Sequence, residues 1–93
     1  MIIAVDYDGT LFRDGEINRI LIERLKAEQR RGTTVILWTC RDGARLHEAV
    51  TSLMQAGFRP NFVNDNATEM KIRLGYNPRK VVADIYIDDK AVR

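Results

Sequence analysis

Asp6 and Asp8, two carboxylates one residue apart, end the first apolar run of the chain, and Gly9 follows them. A carboxylate beside a divalent cation can attack phosphorus and form an aspartyl-phosphate. A second carboxylate two residues on can protonate the leaving oxygen and then activate water. The pair therefore fits a phosphoryl-transfer site in which Asp6 is the nucleophile and Asp8 the general acid/base. The alternative is a strand that merely ends in an Asx-type turn.

Polar residues follow each later apolar run as well, namely Thr39 and Arg41, Asn64 and Asp65, and Asp88 and Asp89. In an open parallel sheet, ligands bind beyond the carboxyl ends of the strands, so the carboxylates are expected to converge there. Two like charges about 4 Å apart repel by about 4 kcal/mol at an effective dielectric of about 20, so such a cluster holds a cation, shares protons or is neutralised by basic residues. Oxygen ligands on rigid strand ends suit Mg²⁺, and the sequence has no cysteine pair and no second histidine for zinc.

A hydroxyl and a lysine can stabilise the phosphoryl oxygens as negative charge spreads over them. Thr39 and Lys80 fit these two roles. Arg41 is a candidate for contact with a substrate phosphate or base, although charge compensation at the start of the next helix explains it nearly as well. Asn64 and Asp65 end the third strand near the cleft, where turn chemistry explains them equally well.

The choice of lysine depends on how the last strand forms. Lys80 lies eight residues before Asp88, and a straight strand of that length would span about 26 Å, too far for the side chain to return. Lys80 can reach the site only if residues 80–84 are a loop and the strand runs from Ile85 to Ile87. Lys71, on a short predicted helix, is the alternative, and we favour Lys80.

The elements that must position these residues follow from the apolar pattern. Buried parallel strands are predicted at residues 2–5, 34–38, 61–63 and within 81–87. Helices are predicted from Asn18 to about Arg31, from Asp42 or Gly43 to Gly57, and from about Ala67 to Leu74. Strand, turn and helix twice in succession are typical of right-handed βαβ units on a parallel sheet. Between the first strand and the first helix, Asp14-Gly15 predicts a hairpin turn, in either a flap over the cleft or an ordinary surface loop.

Apolar residues at helical spacing predict the buried faces of the two longer helices. They are Ile17, Ile20, Leu21 and Leu25 for the first helix, and Leu46, Ala49, Val50, Leu53 and Met54 for the second. Trp38 is predicted to belong to the core, Cys40 to be a small packed residue and His47 to be exposed.

Composition and length limit the class of protein. The chain has 93 residues, which predicts a single domain over residues 1–93. A single cysteine excludes an internal disulfide and fits a reducing compartment. No signal peptide precedes the first strand and no apolar run is long enough to span a bilayer, so we expect a cytoplasmic protein without a membrane partner. A formal charge of +2 does not by itself indicate nucleic acid.

The ordered motifs resemble those of the haloacid dehalogenase (HAD) superfamily. The motifs are Asp6-Tyr-Asp-Gly-Thr, Thr39 after a second hydrophobic strand, a lysine, and Asp88-Asp89 after another strand, and together they span residues 6 to 89. The segments at 37–41 and 83–89 also resemble small capless HAD hydrolases of bacteria and phages. The second of them is similar, too, to the end of 5'(3')-deoxyribonucleotidases.

This resemblance implies a minimal Rossmann-like fold, a three-layer α/β/α arrangement around a parallel sheet of about four strands in the order 3-2-1-4, without a cap domain. It implies a Mg²⁺-dependent phosphomonoester hydrolase, a phosphatase that works through an aspartyl-phosphate on Asp6 with Asp8 as general acid/base. The implied Mg²⁺ ligands are the side chain of Asp6, the backbone carbonyl of Asp8, and Asp88, with Asp89 assisting. Thr39 would bind the phosphoryl group.

The sequence departs from the family pattern in two ways, one that affects the expected substrate and one that affects stability and association. The gaps between the motifs are too short for a cap, so the site should be open, either to a large substrate such as a nucleic-acid end or a phosphoprotein, or to a lid from a partner subunit. A nucleotide or a sugar phosphate is equally open as substrate. Relatives usually continue beyond the Asp88-Asp89 pair, so we expect self-association, marginal stability or a truncated chain.

Two rival functions belong to other classes. A catalytically silent or truncated HAD-like module would bind a ligand without turning it over, although all four motifs are intact. A receiver-type signalling domain also uses Mg²⁺, a phosphorylated Asp, a Thr or Ser and a Lys on a parallel sheet. Its acidic pair follows the first strand, however, whereas here the acidic pair comes last and Asp-x-Asp comes first.

Overall fold

The computed structural model describes residues 1–89, in which short strands alternate with helices. In chain order the elements are β1 (Ile2–Asp6), β2 (Phe12–Arg13), β3 (Glu16–Ile17), α1 (Arg19–Arg30), β4 (Thr34–Trp38), α2 (Gly43–Gln55), β5 (Phe62–Val63), α3 (Thr68–Leu74) and β6 (Ile85–Ile87). Each predicted strand and helix is therefore present. The structure is an α/β fold of the Rossmann-like type.

β1 lies inside a four-stranded parallel sheet whose order is β5-β4-β1-β6. Counted along the chain, these strands have the predicted order 3-2-1-4. β2 and β3 form a separate antiparallel hairpin. Its turn residues, Asp14 and Gly15, have φ angles of 53° and 78°, as expected of a two-residue hairpin turn with both φ values positive.

Helices cover both faces of the sheet. Side chains alternate between the two faces of a strand, so β1 has apolar side chains on each face. On one face, Val5 packs in a cluster with Leu25 of α1 and Leu53 of α2. On the other face, Ala4 packs in a cluster with Met70 of α3. This is the predicted three-layer arrangement. Within residues 1–89 only the hairpin and these three helices connect the strands of the sheet, and there is no cap domain.

Two apolar residues predicted to face the core are exposed. α1 begins after Asn18, whose side-chain oxygen accepts a hydrogen bond from the Leu21 nitrogen. Its buried residues are Ile22 and Leu25, whereas Ile20 is 74% exposed. Ile20 lies about 200° around the helix from Ile22, so both cannot face the sheet. Met54, near the end of α2, is 52% exposed.

The last strand is short, and a loop precedes it. β6 spans Ile85–Ile87, so the arrangement in which Lys80 lies in a loop is the observed one. Asp84 joins this loop to the start of β1: its carboxylate accepts a hydrogen bond from the Ile2 nitrogen at 2.7 Å, and its own nitrogen donates to the Ile2 carbonyl at 2.9 Å. In the part of the chain that the structure describes, no helix combines the length and the apolar character needed to cross a membrane.

Candidate active site at the carboxyl edge of the sheet

The pairing register aligns the ends of three strands. Asp6 is paired with Trp38, so Thr39 follows directly beside the end of β1. On the other side, Val5 is paired with Ile87, so Asp88 follows at the level of Asp6. The central strand thus ends between a hydroxyl-bearing strand and an acidic strand, as the sequence predicted for the carboxyl edge.

Asp6 is half-buried at this edge and surrounded by like charges. Burial raises the pKa of Asp6, and the nearby carboxylates of Asp8, Asp89 and Asp88 raise it further, while a hydrogen bond from the Tyr7 nitrogen opposes the rise. That bond is 2.8 Å long and orients one carboxylate oxygen. Because like charges raise the pKa of Asp6, the carboxylates of Asp8, Asp88 and Asp89 each lie within electrostatic range of Asp6.

Asp8 forms a forked ion pair with Arg41. Arg41 Nε and Nη2 donate to the two carboxylate oxygens at 2.9 and 2.8 Å. This pair holds the pKa of Asp8 below its usual value. The guanidinium also lies over the rings of Tyr7 and Phe12, 4.8 and 5.8 Å from their centroids, and these rings stack on each other. Arg41 therefore connects the general acid/base candidate to the β2–β3 hairpin.

From its place in the sequence, Arg41 is a candidate either for contact with the substrate or for charge compensation at the start of α2. In the structure, its side chain contacts Asp8 and the Arg45 carbonyl. No local pattern indicates the pairing with Asp8, because the two residues lie 33 positions apart. The contact of the Arg41 guanidinium with the rings of Tyr7 and Phe12 is likewise not indicated by any sequence pattern.

Thr39 is buried and held on two sides. Its hydroxyl accepts a hydrogen bond from the Arg41 nitrogen at 3.1 Å, and its own nitrogen donates to the Asn64 side chain at 2.8 Å. The hydroxyl proton can still be donated to a phosphoryl oxygen. Asn64 has a φ of 50°, a conformation that asparagine tolerates better than most residues. Asn64 thus combines turn chemistry with the positioning of Thr39.

Asp65 and Lys71 pair with each other. Lys71 Nζ lies 2.7 Å from an Asp65 oxygen, and Asp65 also accepts hydrogen bonds from Asn77 and the Asn66 nitrogen. The Lys71 bond is the main reason that the pKa of Asp65 is lowered. This network explains Asp65 as a structural residue.

Lys80 lies beside the acidic end of β6. It lines a cavity of about 260 Å³ together with Trp38, Val81, Tyr86 and Asp88. The geometry is therefore compatible with the favoured lysine, Lys80, whereas the alternative, Lys71, is held by Asp65.

Asn66 holds the loop that carries Lys80, a role that no sequence motif indicates. It is buried, and its amide group donates to the carbonyls of Pro78 and Lys80 at 3.0 and 3.3 Å. Its side-chain oxygen accepts from the Val82 nitrogen at 2.6 Å. An asparagine followed by a helix reads as turn chemistry in a sequence, so only the fold reveals this role.

Two predictions about side chains beside Thr39 were wrong. Trp38 was expected in the core but is 40% exposed, and Cys40 was expected to be packed but is exposed. Trp38 is the last residue of β4 and Cys40 follows the strand, and neither belongs to the core clusters that contain Val35, Ile36 and Leu37. His47 is exposed, as predicted.

The donor atoms at this edge fit a hard cation with few protein ligands. Within residues 1–89, no three carboxylate, imidazole or thiol side chains are grouped closely enough to hold a metal ion. Mg²⁺ typically binds to one or two carboxylates, keeps several waters and accepts a substrate phosphate. The Asp8 carboxylate is engaged by Arg41, and Asp6 and Asp88 lie at the ends of the adjacent strands β1 and β6. Asp6 and Asp88 are two of the Mg²⁺ ligands that the resemblance implies; the others are the Asp8 main-chain carbonyl and Asp89.

The chain is similar to one solved structure, described as that of the conserved protein coded by locus from Bacteroides thetaiotaomicron. The two share 35% sequence identity, and the match covers 98% of this chain and 77% of the other, with a TM-score of 0.81. No protein-family model matches the chain, and no curated protein matches it.

Proposed function

We propose that this chain, which belongs to the same family as the conserved Bacteroides thetaiotaomicron protein, is a Mg²⁺-dependent phosphomonoester hydrolase of the haloacid dehalogenase type. The observation that carries the proposal is the strand register, in which Asp6 pairs with Trp38 and Val5 with Ile87. The carboxylate of a central strand thereby lies between a threonine and a second aspartate. Attack on a phosphate needs these three groups side by side, namely a phosphoryl-binding hydroxyl, a nucleophile and a cation ligand.

The reaction runs in two displacements. In the first, an Asp6 oxygen attacks phosphorus, the bond to the ester oxygen breaks, and the Asp8 carboxyl group gives its proton to that oxygen. In the second, Asp8 takes a proton from water as the water oxygen attacks phosphorus. The bond to Asp6 then breaks and inorganic phosphate leaves, so that both carboxylates return to their starting states.

Thr39 and Lys80 stabilise the phosphoryl oxygens during both steps, as a hydroxyl donor and a positive charge. Asp6, Asp88 and the main-chain carbonyl of Asp8 would hold Mg²⁺, with Asp89 assisting. The ion, when bound, offsets negative charge on the phosphoryl group and relieves repulsion between carboxylates. Its ligands come from two adjacent strand ends, which hold them rigidly.

Both displacements depend on the ion pair between Arg41 and Asp8. The ion pair favours ionised Asp8, which is the form that accepts a proton from water in the second displacement. The first displacement requires protonated Asp8, so the pair must open when a phosphate ester binds. A substrate phosphate is a competing partner for the guanidinium fork, so Arg41 would exchange its contact with Asp8 for the substrate contact that the sequence predicts.

Phosphate release from an aryl phosphate tests the proposal, with Mg²⁺ and with EDTA. We expect EDTA to abolish activity and Asp6→Asn to lower it by at least about a thousandfold, as for the loss of a covalent nucleophile. Asp14→Asn makes the same chemical change in the exposed hairpin turn and should retain activity. Substrate labelled at phosphorus should transfer its label to wild-type protein but not to Asp6→Asn. Turnover that survives in Asp6→Asn would refute the mechanism.

A further inference from the structure

Trp38 occupies an unusual position for a large apolar side chain. The three residues before it in β4, Val35 to Leu37, are completely buried, but Trp38 is 40% exposed. It pairs in register with Asp6 and directly precedes Thr39. An exposed indole is therefore adjacent to both the proposed nucleophile and the proposed phosphoryl-binding residue.

The cavity beside Trp38 has an aromatic wall and a charged side. It measures about 260 Å³ and is lined by Trp38, Tyr86, Val81, Lys80 and Asp88. Pockets that enclose a whole drug-sized ligand measure about 300–1,000 Å³, so this one has room for a single ring system. The charged side carries two residues that the proposed function assigns to the phosphate and the cation.

The aromatic wall is preorganised. The Tyr86 hydroxyl donates to the Val81 carbonyl at 2.7 Å and accepts from the Ala83 nitrogen at 3.0 Å, which fixes the ring. Trp38 meets this ring edge to face, with centroids 6.1 Å apart and an interplanar angle of 72°. Asn66 holds the backbone on the loop side at Lys80 and Val82. A ring can therefore enter without ordering the wall first, which lowers the entropic cost of binding.

We propose that this cavity binds the base of a nucleoside monophosphate by stacking on Trp38, so that the substrate class is a nucleotide phosphomonoester. The inference rests on the proposed function for its phosphate end. Stacking on an aromatic side chain accommodates every base, because each has a π-face. The exposure of Trp38 favours a base over a hydrocarbon ring, because the polar edge of a base needs contact with water while its face stacks.

The kinetic test compares three phosphomonoesters on wild-type protein and on Trp38→Leu, Trp38→Phe and Ile20→Ala. The substrates are a nucleoside 5′-monophosphate, ribose 5-phosphate, which lacks the ring, and phenyl phosphate, whose ring is bonded to the ester oxygen. Stacking energies of bases on aromatic side chains correspond to about a 5- to 150-fold loss of kcat/KM for the nucleotide in Trp38→Leu. Ribose 5-phosphate should change by less than about twofold, Trp38→Phe should recover most of the loss, and Ile20→Ala, exposed on α1, should match wild type.

A binding test separates the pocket from the chemistry. Trp38 is the single tryptophan of the chain, so intrinsic fluorescence reports directly on the cavity. In Asp6→Asn, the nucleoside monophosphate should quench this fluorescence in a saturable manner, and ribose 5-phosphate should not. Quenching in Asp6→Asn, together with no turnover of any ester by wild-type protein, would support the pocket while the proposed function fails.

Two results would overturn the inference while leaving the proposed function intact. One is hydrolysis that depends on Asp6, with equal kcat/KM for nucleotide and ribose 5-phosphate and no fluorescence response. The other is an equal loss for phenyl phosphate and nucleotide in Trp38→Leu, which would assign the cavity to aryl esters. A 5′-phosphorylated dinucleotide, assayed beside the mononucleotide, distinguishes a free nucleotide from a nucleic-acid end as the source of the base.

Discussion

Gly9, in the turn after Asp8, packs against Asp89 of the acidic pair. Its φ is +82°, and an added Cβ would lie 2.9 Å from the Cβ of Asp89. Alanine at positive φ costs about 1–2 kcal/mol, and overpacking adds about 1–3 kcal/mol. We expect Gly9→Ala to lower the free energy of unfolding by both amounts and to displace Asp89, which would weaken Mg²⁺-dependent activity. Urea unfolding and phosphate release measure the two effects.

Gly15→Ala is the matched control for this substitution. Gly15 has a φ of +78° but no neighbouring atom within 4 Å of an added Cβ. It should therefore show the conformational cost alone and keep its activity. Equal losses of stability and activity in the two variants would mean that contact between Gly9 and Asp89 has no role in the site.

The residues of the site differ in how far a sequence can reveal them. Asp6, Thr39 and Asp88 follow apolar runs, so knowledge of the strand ends is enough to find them. The pairing of Asp8 with Arg41 depends on two loops that only the folded sheet brings together. Trp38 was wrongly predicted to be buried because it is an apolar residue at the end of a buried run. The sequence does not show at which residue of the strand that burial ends.

At the scale of elements, the loop between α3 and β6 depends on Asn66. Replacing Asn66 by alanine removes the partner of the part-buried Val82 nitrogen and of two carbonyls. An unsatisfied buried polar group costs about 1–3 kcal/mol. We expect Asn66→Ala to lose at least this much stability in urea unfolding. Activity should fall as well, because the loop that carries Lys80 is no longer held.

Asn77→Ala provides the comparison on the same loop. Its side chain is exposed, accepts one hydrogen bond from Asn66 and donates one to Asp65, so its loss should cost less than about 1 kcal/mol. Losses of equal size in the two variants would show that the loop is held by something other than Asn66.

The elements themselves could be predicted because their signals are local. Apolar runs, the Asn18 cap and the Asp14-Gly15 turn each act within a few residues, and strand-turn-helix repetition predicts βαβ units on a parallel sheet. The order of the strands followed only from the family resemblance, and it agrees with the observed order. The buried face of α1 was less predictable. Ile20 and Ile22 are both apolar, and the sheet selects only one of two opposite directions around the helix.

For the molecule as a whole, the carboxylates at the sheet edge oppose stability while they serve the proposed chemistry. The pKa of Asp6 is raised above its ordinary value of 3.8, so folding favours its protonated form. Stability is therefore lost as pH rises from 3.8 through the pKa of Asp6 in the folded state. At neutral pH without a divalent cation, the folded protein bears the cost of a charged Asp6 that is partly buried and repelled by nearby carboxylates, and a cation that binds only the folded state should offset this cost.

Thermal unfolding of wild-type protein and Asp6→Asn in EDTA and in Mg²⁺ tests this balance. In EDTA at neutral pH, we expect Asp6→Asn to melt above wild type, because the substitution removes a charge whose burial among like charges disfavours the folded state. The difference should shrink as the pH falls well below 3.8, where Asp6 becomes neutral in both states. In Mg²⁺, wild type should gain Tm and Asp6→Asn should gain less, while Asp14→Asn should respond to Mg²⁺ as wild type does. If Mg²⁺ raises the Tm of Asp6→Asn as much as that of wild type, the ion does not bind at Asp6, and the carboxylate edge of this sheet is not the cation site.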